Sequence, residues 1–553
     1  MQAGKPIEGR GRAVREALVH KLGGVKVLAD AGIVRPVRPD KLVGVVRTLK
    51  HWGRGPASGY ITSALLCPER TAIVDERGSL TFGELARRTN ALANSLAAAG
   101  VREGDGVGIM CRNHRGFVEA TVATAKLGAD VLYLNTAFAG PQLAEVVQRE
   151  GPSALIYDEE FGGLLEQAAE GRLRFAAWHD GDSGPGSDPT LDELIAAGPD
   201  RLPDVPDRVG RTVILTSGTT GSPKGASRSS PQSLDPAISL LSKIPLKRGQ
   251  TTHIAAPLFH SWGFAHFTIG LMLNSTVVLQ RRFDPEASLA AIARTRADSL
   301  VVVPVMMQRI LDLPAETRRR YDTASLSIVA ASGSALPGDL ATEWMDEYGD
   351  TLYNLYGSTE VAWATIASPA EMRAAPGTAG TPPRGTVVRL YDEQGRAVRN
   401  GETGRIFVGN EFLFEGYTGG GTKDEIDGLM ATGDVGRFDA AGRLFVEGRD
   451  DEMIVSGGEN VFPKEVEDLL ARHEAVAEAA AVGVSDAKFD QRLLAFVVPK
   501  AGVAVGESDL KTYVKANLAR YKVPREIRFV EELPRNATGK VLKRELTEMA
   551  SGV

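Results

Sequence analysis

Three short apolar runs in this chain each empty into a loop of small polar residues, and that repeated transition constrains the fold most. Val213-Ile214-Leu215 runs into "LTSGTTGSPKGA" (215–226), "LSIVAASGSALPG" (326–338) repeats the arrangement, and "TLYNLYGSTE" (351–360) repeats it again. A run of branched apolar residues bounded by Gly and Ser reads as a strand. Loops at the ends of such strands, in an open α/β sheet, form the crevice where ligands bind. From about residue 60 onward, strand-like runs such as "GVGIMC" and "DVLYLN" alternate with helical patterns. Thr81 and Glu84 in "TFGEL" make a capping box that opens a helix through Leu85, Leu92 and Leu96. The alternation predicts α/β layers.

The pattern changes beyond about residue 450. "FPKEVEDLLARH" predicts a helix with Pro463 in its first turn, followed by strands near 477–484 and 493–499, a helix at 508–519 and a strand near 527–530. With 553 residues the chain exceeds one ordinary core. The expected division is a basic extension (1–55), a large multi-layer α/β N-terminal domain (56–449) and a small mobile α+β C-terminal domain (450–553).

The first loop is built for an anion. Its glycines, among them Gly218 and Gly221, allow successive N–H groups to turn inward, while Thr216, Ser217, Thr219 and Thr220 add hydroxyl donors and Lys224 a positive charge. Such a set suits a polyphosphate. The P-loop pattern G-x-x-x-x-G-K-[ST] is not met, because Pro223 precedes the lysine and Gly225 follows it.

Apolar and charged contents of 43% and 24% are those of a globular protein, and no run approaches the roughly 20 apolar residues of a membrane span. The N-terminus does not resemble a signal peptide, which predicts a cytoplasmic protein. The two cysteines, Cys67 and Cys111, have no ligand-like spacing, so neither a disulfide framework nor a zinc site is expected. The net charge of −6 is uneven: residues 1–55 hold 12 Lys/Arg against 4 Asp/Glu. Within them Leu42, Val45, Val46, Leu49 and Trp52 recur at helical spacing beside Lys41, Arg47 and Lys50. Two placements fit that stripe: docking on its own domain, the commoner outcome, or peripheral contact with an anionic membrane face.

Taken together, "LTSGTTGSPKGA", "PLFHSWGF", "ASGSALPG", "LYGSTE", "ATGDVGRFD", "GRDDEMIVSGGENVFPKEVE" and "PRNATGKVLKREL" stand in the order found in the adenylate-forming superfamily of acyl-CoA synthetases, peptide-synthetase adenylation domains and luciferases. The chain resembles that superfamily over nearly all of residues 56–545. The resemblance implies ATP, Mg²⁺ and CoA, and a first loop that holds the β- and γ-phosphates. It implies that Glu360, with Thr216, organises Mg²⁺, that Thr359 donates to the α-phosphate, and that adenine packs on Tyr356 beside Gly357 and against Gly333, Ser334 and Ala335. Asp434 and Arg449 resemble the ribose contacts, and Lys540 the lysine that bridges carboxylate and phosphate oxygens. Asp451 resembles the hinge about which the C-terminal domain turns, bringing Gly457 and Gly458 to a slot for pantetheine.

The acid is read from the pocket. His260 in "PLFHSWGFAHF" resembles the family's residue near the carboxylate, and no aspartate between Pro257 and Gly270 is available to pair with a substrate amine. Phe264, Phe267, Met306, Met307, Val361 and Trp363 suggest an apolar pocket, and Met-rich walls adapt to flexible chains. The expected activity is therefore a fatty-acid:CoA ligase forming AMP. Partners are a fatty acid, ATP and CoA, with no nucleic acid, and a homodimer is admitted. An acyl-AMP ligase loading a carrier protein, an aromatic-acid:CoA ligase and a light-emitting oxidase stay open as other enzymes. A nucleotide-binding scaffold would not need Glu360 and Lys540, which are both present.

Overall fold

The computed structural model describes residues 23–551 apart from 167, 181–185, 217–223, 230, 451–453, 457–458, 487–489, 519–521 and 537–538. Two mostly parallel sheets carry the large N-terminal part. One has eight strands in the order Thr365–Ala367, Leu352–Tyr356, Ile328–Ala331, Ser299–Val302, Thr251–Ile254, Thr276–Val278, Thr71–Asp75 and Gly78–Thr81. Its two edge strands are antiparallel to their neighbours and the interior is parallel. The other has six strands in the order Leu173–Trp178, Ala154–Asp158, Gly106–Met110, Asp130–Tyr133, Thr212–Thr216 and Lys224–Arg228, antiparallel only at the last pair. Strands such as Ile328–Ala331, Ser299–Val302 and Ala154–Asp158 are buried along their whole length. That is what parallel strands covered on both faces require, and it explains why they read as continuous apolar runs.

The helix Phe82–Ala99 starts at the reciprocal Thr81–Glu84 box and ends at Gly100 in a left-handed conformation. Beside it, the helix Arg115–Lys126 is buried on nearly every side, so its residues are small or apolar at almost every turn. One core cluster joins these helices to both sheets. A third, antiparallel sheet (Val387–Tyr391, Gly404–Gly409, Glu425–Ile426, Leu429–Phe438 and Leu444–Arg449) has its own apolar cluster.

The small C-terminal part follows the sequence expectation closely. It holds helices Pro463–Ala471, Glu507–Asn517 and Lys543–Ser551 on a sheet whose long strands are Val476–Asp486 and Asp490–Pro499, with Glu526–Phe529 alongside. The amphipathic stripe of the extension forms a helix, Pro39–Trp52, and the helix docks. Trp52 is buried and its indole N–H donates to Lys126 O at 3.4 Å, while Lys41 Nζ donates to Leu65 O at 2.7 Å. Among the described residues no helix is long and apolar enough to cross a membrane.

Candidate functional site

The ends of the parallel strands open on a cavity of about 1840 Å³. Ile328–Ala331 and Leu352–Tyr356 are neighbours in register, Ala331 opposite Asn354, so the loops that follow them arrive side by side. They bring Gly333, Ser334 and Ala335 together with Tyr356, Gly357, Thr359 and Glu360 on one wall. Gly357 could not be another residue: a Cβ there would lie 2.2 Å from Ala362 O. The six-stranded sheet contributes Lys224 to the same cavity from the start of its last strand. The antiparallel sheet contributes Asp434 and Arg449, which face each other across adjacent strands.

Hydrogen bonds tie these groups together. The Tyr356 hydroxyl donates to Asp434 Oδ2 at 2.6 Å, and Arg449 Nη1 donates to Asp434 Oδ1 at 3.4 Å. Burial and the adjacent carboxylate push the Tyr356 hydroxyl well above its usual pKa, so it stays a donor. The tyrosine thus does more than offer a ring. It orients the carboxylate, an acceptor-only group suited to hydroxyl donors.

Glu360 is held just as firmly. Its Oε1 accepts the Tyr417 hydroxyl at 2.7 Å, and Arg228 donates to the backbone oxygens of Thr359 and, at 3.2 Å, of Glu360. Burial pulls the Arg228 guanidinium down to about 10, which still leaves it charged at neutral pH. Lys224 Nζ lies over the Tyr417 ring, 5.2 Å from its centre. Arg228 and Tyr417 escape a reading of the sequence because each lies outside the phosphate-loop and Glu360 motifs that it supports. A basic residue closing the strand after the glycine loop is the one signal for Arg228. Glu360 Oε2 has no protein partner among the described residues, and the residue is 9% exposed on the cavity wall. An anchored carboxylate with one oxygen facing open space fits a hard divalent cation.

His260 caps the helix Ser261–Met272 at the opposite end of the cavity. Its loop is fixed from beneath by Asn113, which donates to Ile254 O at 3.2 Å and Ala256 O at 2.9 Å and accepts from Leu258 N at 2.8 Å. Burial lowers His260 to about 4, so the imidazole is neutral at pH 7, and Nε2 has no hydrogen-bond partner among the described residues. Trp262, Phe264 and Ile269 of that helix line the cavity, and Trp363 lines it from the loop that carries Glu360. The pocket expectation needs correction here. Phe264 stands on the wall, but Phe267, Met306, Met307 and Val361 do not line the cavity. Phe267 is fully buried against Tyr60 and Phe264, Met306 and Met307 belong to the same central core, and Val361 packs in the cluster beneath the antiparallel sheet. On a helix buried on several sides, residue type does not say which side faces a ligand.

Lys540 reaches the cavity from the C-terminal part. A tight turn positions it: Lys540 N donates to Asn536 Oδ1, and Asn536 N to Lys540 O, both at 2.9 Å. The turn needs Gly539, at φ 77, because a Cβ there would come within 2.2 Å of Val305 Cγ1 in the large part. The Lys540 ammonium has no hydrogen bond or ion pair among the described residues. Ser217, Gly218, Thr219, Thr220, Gly221, Asp451, Gly457, Gly458 and the side chain of Thr216 lie outside the described residues.

A second cluster, Cys111, His114 and Asp158, is fully buried. His114 Nε2 donates to Asp158 Oδ1 at 2.7 Å and Nδ1 accepts from Gly116 N at 3.0 Å, which uses both ring nitrogens. Burial raises the Cys111 thiol far from a thiolate. The cluster is an internal brace for the strand ends.

Residues 62–418 match the family of AMP-binding enzymes, and residues 465–540 match the AMP-binding enzyme C-terminal domain. A feruloyl-CoA synthase from Amycolatopsis sp is 34% identical over 501 residues, 89% of this chain and 98% of that one. An indoleacetate–CoA ligase from Aromatoleum aromaticum is 31% identical over 494 residues, 88% and 96% of the two chains. Among solved structures, an anthranilate CoA ligase in complex with anthranoyl-AMP superimposes with a TM-score of 0.80 at 25% identity, covering 90% of this chain and 98% of that one. The o-succinylbenzoate CoA synthetase of Bacillus subtilis, with its acyl-adenylate, gives 0.76 at 28% identity, covering 88% and 97%.

Proposed function

The chain belongs to the AMP-binding enzyme family, and we propose that it is an ATP-dependent ligase joining a ring-bearing carboxylic acid to coenzyme A through an acyl-AMP. The observation that carries the ring-bearing acid is the wall at the His260 end. Trp262 and Phe264 supply flat aromatic surface there, Trp363 adds more from the loop that carries Glu360, and the other carboxylates that border the cavity, Asp434, Glu467 and Glu545, come from other elements. Relatives that act on feruloyl, indoleacetate and anthranilate groups support the same reading. The fatty-acid expectation leaned on Met306, Met307, Phe267 and Val361, which are core residues.

In the first step the acid's carboxylate oxygen attacks the α-phosphorus of ATP and pyrophosphate leaves. Tyr356 stacks adenine, while Asp434, already oriented by Tyr356 and Arg449, accepts from the ribose hydroxyls. Thr359 donates to the α-phosphate. Lys540 bridges the attacking and α-phosphate oxygens, and Lys224 with the loop after Thr216 holds the outgoing phosphates. Such groups stabilise charge that grows in the transition state. Glu360 and Thr216 are the residues that would hold Mg²⁺, which would supply charge neutralisation on the phosphates. Neutral His260 offers the carboxylate a hydrogen bond without a competing charge. In the second step the CoA thiolate attacks the acyl carbonyl and AMP leaves. That step calls for the C-terminal part to turn about Asp451, with Gly457 and Gly458 walling the pantetheine slot.

Pyrophosphate release across ferulic, indoleacetic, anthranilic, octanoic and palmitic acids, with and without CoA, tests the reading. Ring acids should exceed the aliphatic acids at least about tenfold in kcat/KM, the scale of a fitted aromatic slot. Faster turnover of the aliphatic acids would overturn it. Pyrophosphate release without acyl-CoA formation would overturn the thiol step.

A further inference from the structure

The helix Pro39–Trp52 docks with one face and leaves the other bare. Thr48 and Trp52 are buried, and Lys41 reaches inward to the carbonyl of Leu65. On the opposite side Val43 is 67% exposed, Val46 59%, Leu42 51% and Leu49 38%. Large apolar side chains are seldom grouped on the surface of a protein that meets only water. Elsewhere in the described chain such residues stand singly or in small groups, whereas here they share one helical arc.

Two further observations say what that face meets. First, the surroundings are cationic: Arg35, Arg38, Arg47, Lys50 and Arg54 are exposed around the helix, and its one acidic residue, Asp40, is paired with Arg38. Second, the same helix borders the cavity. Leu42, Val45 and Leu49 line it together with Ile33, Thr62 and Met272. The exposed apolar arc therefore shares Leu42 and Leu49 with the cavity lining, which also takes in Met272 at the far end of the helix that follows His260.

We propose that the outer face of Pro39–Trp52 seats on an anionic lipid surface, so that the acid end of the cavity opens onto the membrane. An in-plane helix of this kind sinks its Leu and Val side chains among acyl chains while Lys and Arg reach the headgroup phosphates. A second copy of this chain is the poorer occupant, because a twofold contact on this face would oppose Arg47 and Lys50 to themselves. The surface precedes residue 62, where the family match begins. Lipid binding through it does not depend on which acid the enzyme uses.

The experiment is co-sedimentation of the full chain with vesicles of phosphatidylcholine containing about one-third phosphatidylglycerol, and with phosphatidylcholine alone, at low and high salt. The expected result is binding to the anionic vesicles only, weakened by salt. It should be at least about tenfold weaker in the Val43→Glu/Val46→Glu variant. Neither residue lines the cavity, so pyrophosphate release with a water-soluble acid, and the melting temperature, should be unchanged in that variant. With an apolar acid dissolved in the vesicles, the variant should raise KM and leave kcat alone. No binding to anionic vesicles overturns the proposal, as does equal binding by the variant. A dimer in light scattering that the variant dissolves gives the face to a second copy and also overturns it.

Discussion

The two ends of the cavity are built by opposite means. At the nucleotide end, side chains are fixed by hydrogen bonds to one another: Tyr356 and Arg449 to Asp434, Tyr417 to Glu360, and Arg228 to the Thr359–Glu360 backbone. Around His260 aromatic packing dominates, and the hydrogen bonds run to backbone, from the Trp262 indole to Val302 O at 3.1 Å and from Asn113 to Ile254 O and Ala256 O. Phe264 packs on Tyr133 and Phe267, Trp262 packs on His266, and among the described residues His260 Nε2 and both nitrogens of His266 have no hydrogen-bond partner. Directional bonds require particular residues, whereas packing accepts many residues of the right volume. A chain built this way can keep one reaction and vary the acid. Substitutions at the first end should change the rate for every acid alike, and those at the second should change which acid is used.

The largest expected effect is at the nucleotide end. Lys540→Ala should slow acyl-AMP formation at least about 100-fold, the scale of one lost electrostatic contact at a developing charge, and equally for all acids. Conversion of supplied acyl-AMP to acyl-CoA should be largely spared, and quenched-flow assays of the two half-reactions separate these. Equal loss in both steps would remove Lys540 from its role. Next, Tyr417→Phe leaves Glu360 without its anchoring donor. It should cost about tenfold in kcat/KM for MgATP, the worth of one hydrogen bond to a charged group, and a titration with Mg²⁺ should show weaker apparent binding. An unchanged Mg²⁺ dependence would show that the hydroxyl does not hold the carboxylate in the working enzyme.

Smaller effects belong to the other end. Phe264→Ala should shift preference among acids several-fold per ring or methylene of difference, with KM for ATP little changed. A uniform loss across acids would break the comparison. The smallest effect is on stability. Burial holds His253, His260 and His266 at about 4, 4 and 3. The unfolded chain binds more protons than the folded one between those values and about 6.5, so stability should fall as pH drops through that window. His266→Phe removes one such group and two unpartnered nitrogens. It should raise the melting midpoint by about 1–2 °C at pH 7 and by more at pH 5. A lower midpoint at both pH values would mean that His266 has a partner in solution.

The same contrast governs what could be read from sequence. Glu360, Asp434, Tyr356 and Lys540 lie in motifs whose polar, small-residue spacing is unusual for a core, so they stand out. Arg228, Tyr417 and Asn113 do their work through backbone and carboxylate partners far away in the chain, and a lone Arg, Tyr or Asn carries no mark of that. Strand-to-loop transitions announced the layered fold because buried parallel strands must be apolar throughout. The pocket is not legible because Phe264 and Phe267 are a helical turn apart, and only packing decides which of them lines the cavity.

The pairing of Ile73 with Val277 has a consequence for how the chain is made. The hairpin of residues 71–81 leaves the ribosome long before its partner strand is synthesised, with the whole six-stranded sheet, residues 106–228, in between. At translation speeds of about 5–20 residues per second, that wait is roughly 10–40 s. The six-stranded sheet has all its strands during this interval, while the hairpin still lacks Thr276–Val278, the strand it pairs with in the eight-stranded sheet. Vectorial synthesis thus sets an order of assembly, with the inserted sheet first and the eight-stranded sheet closing around an early hairpin.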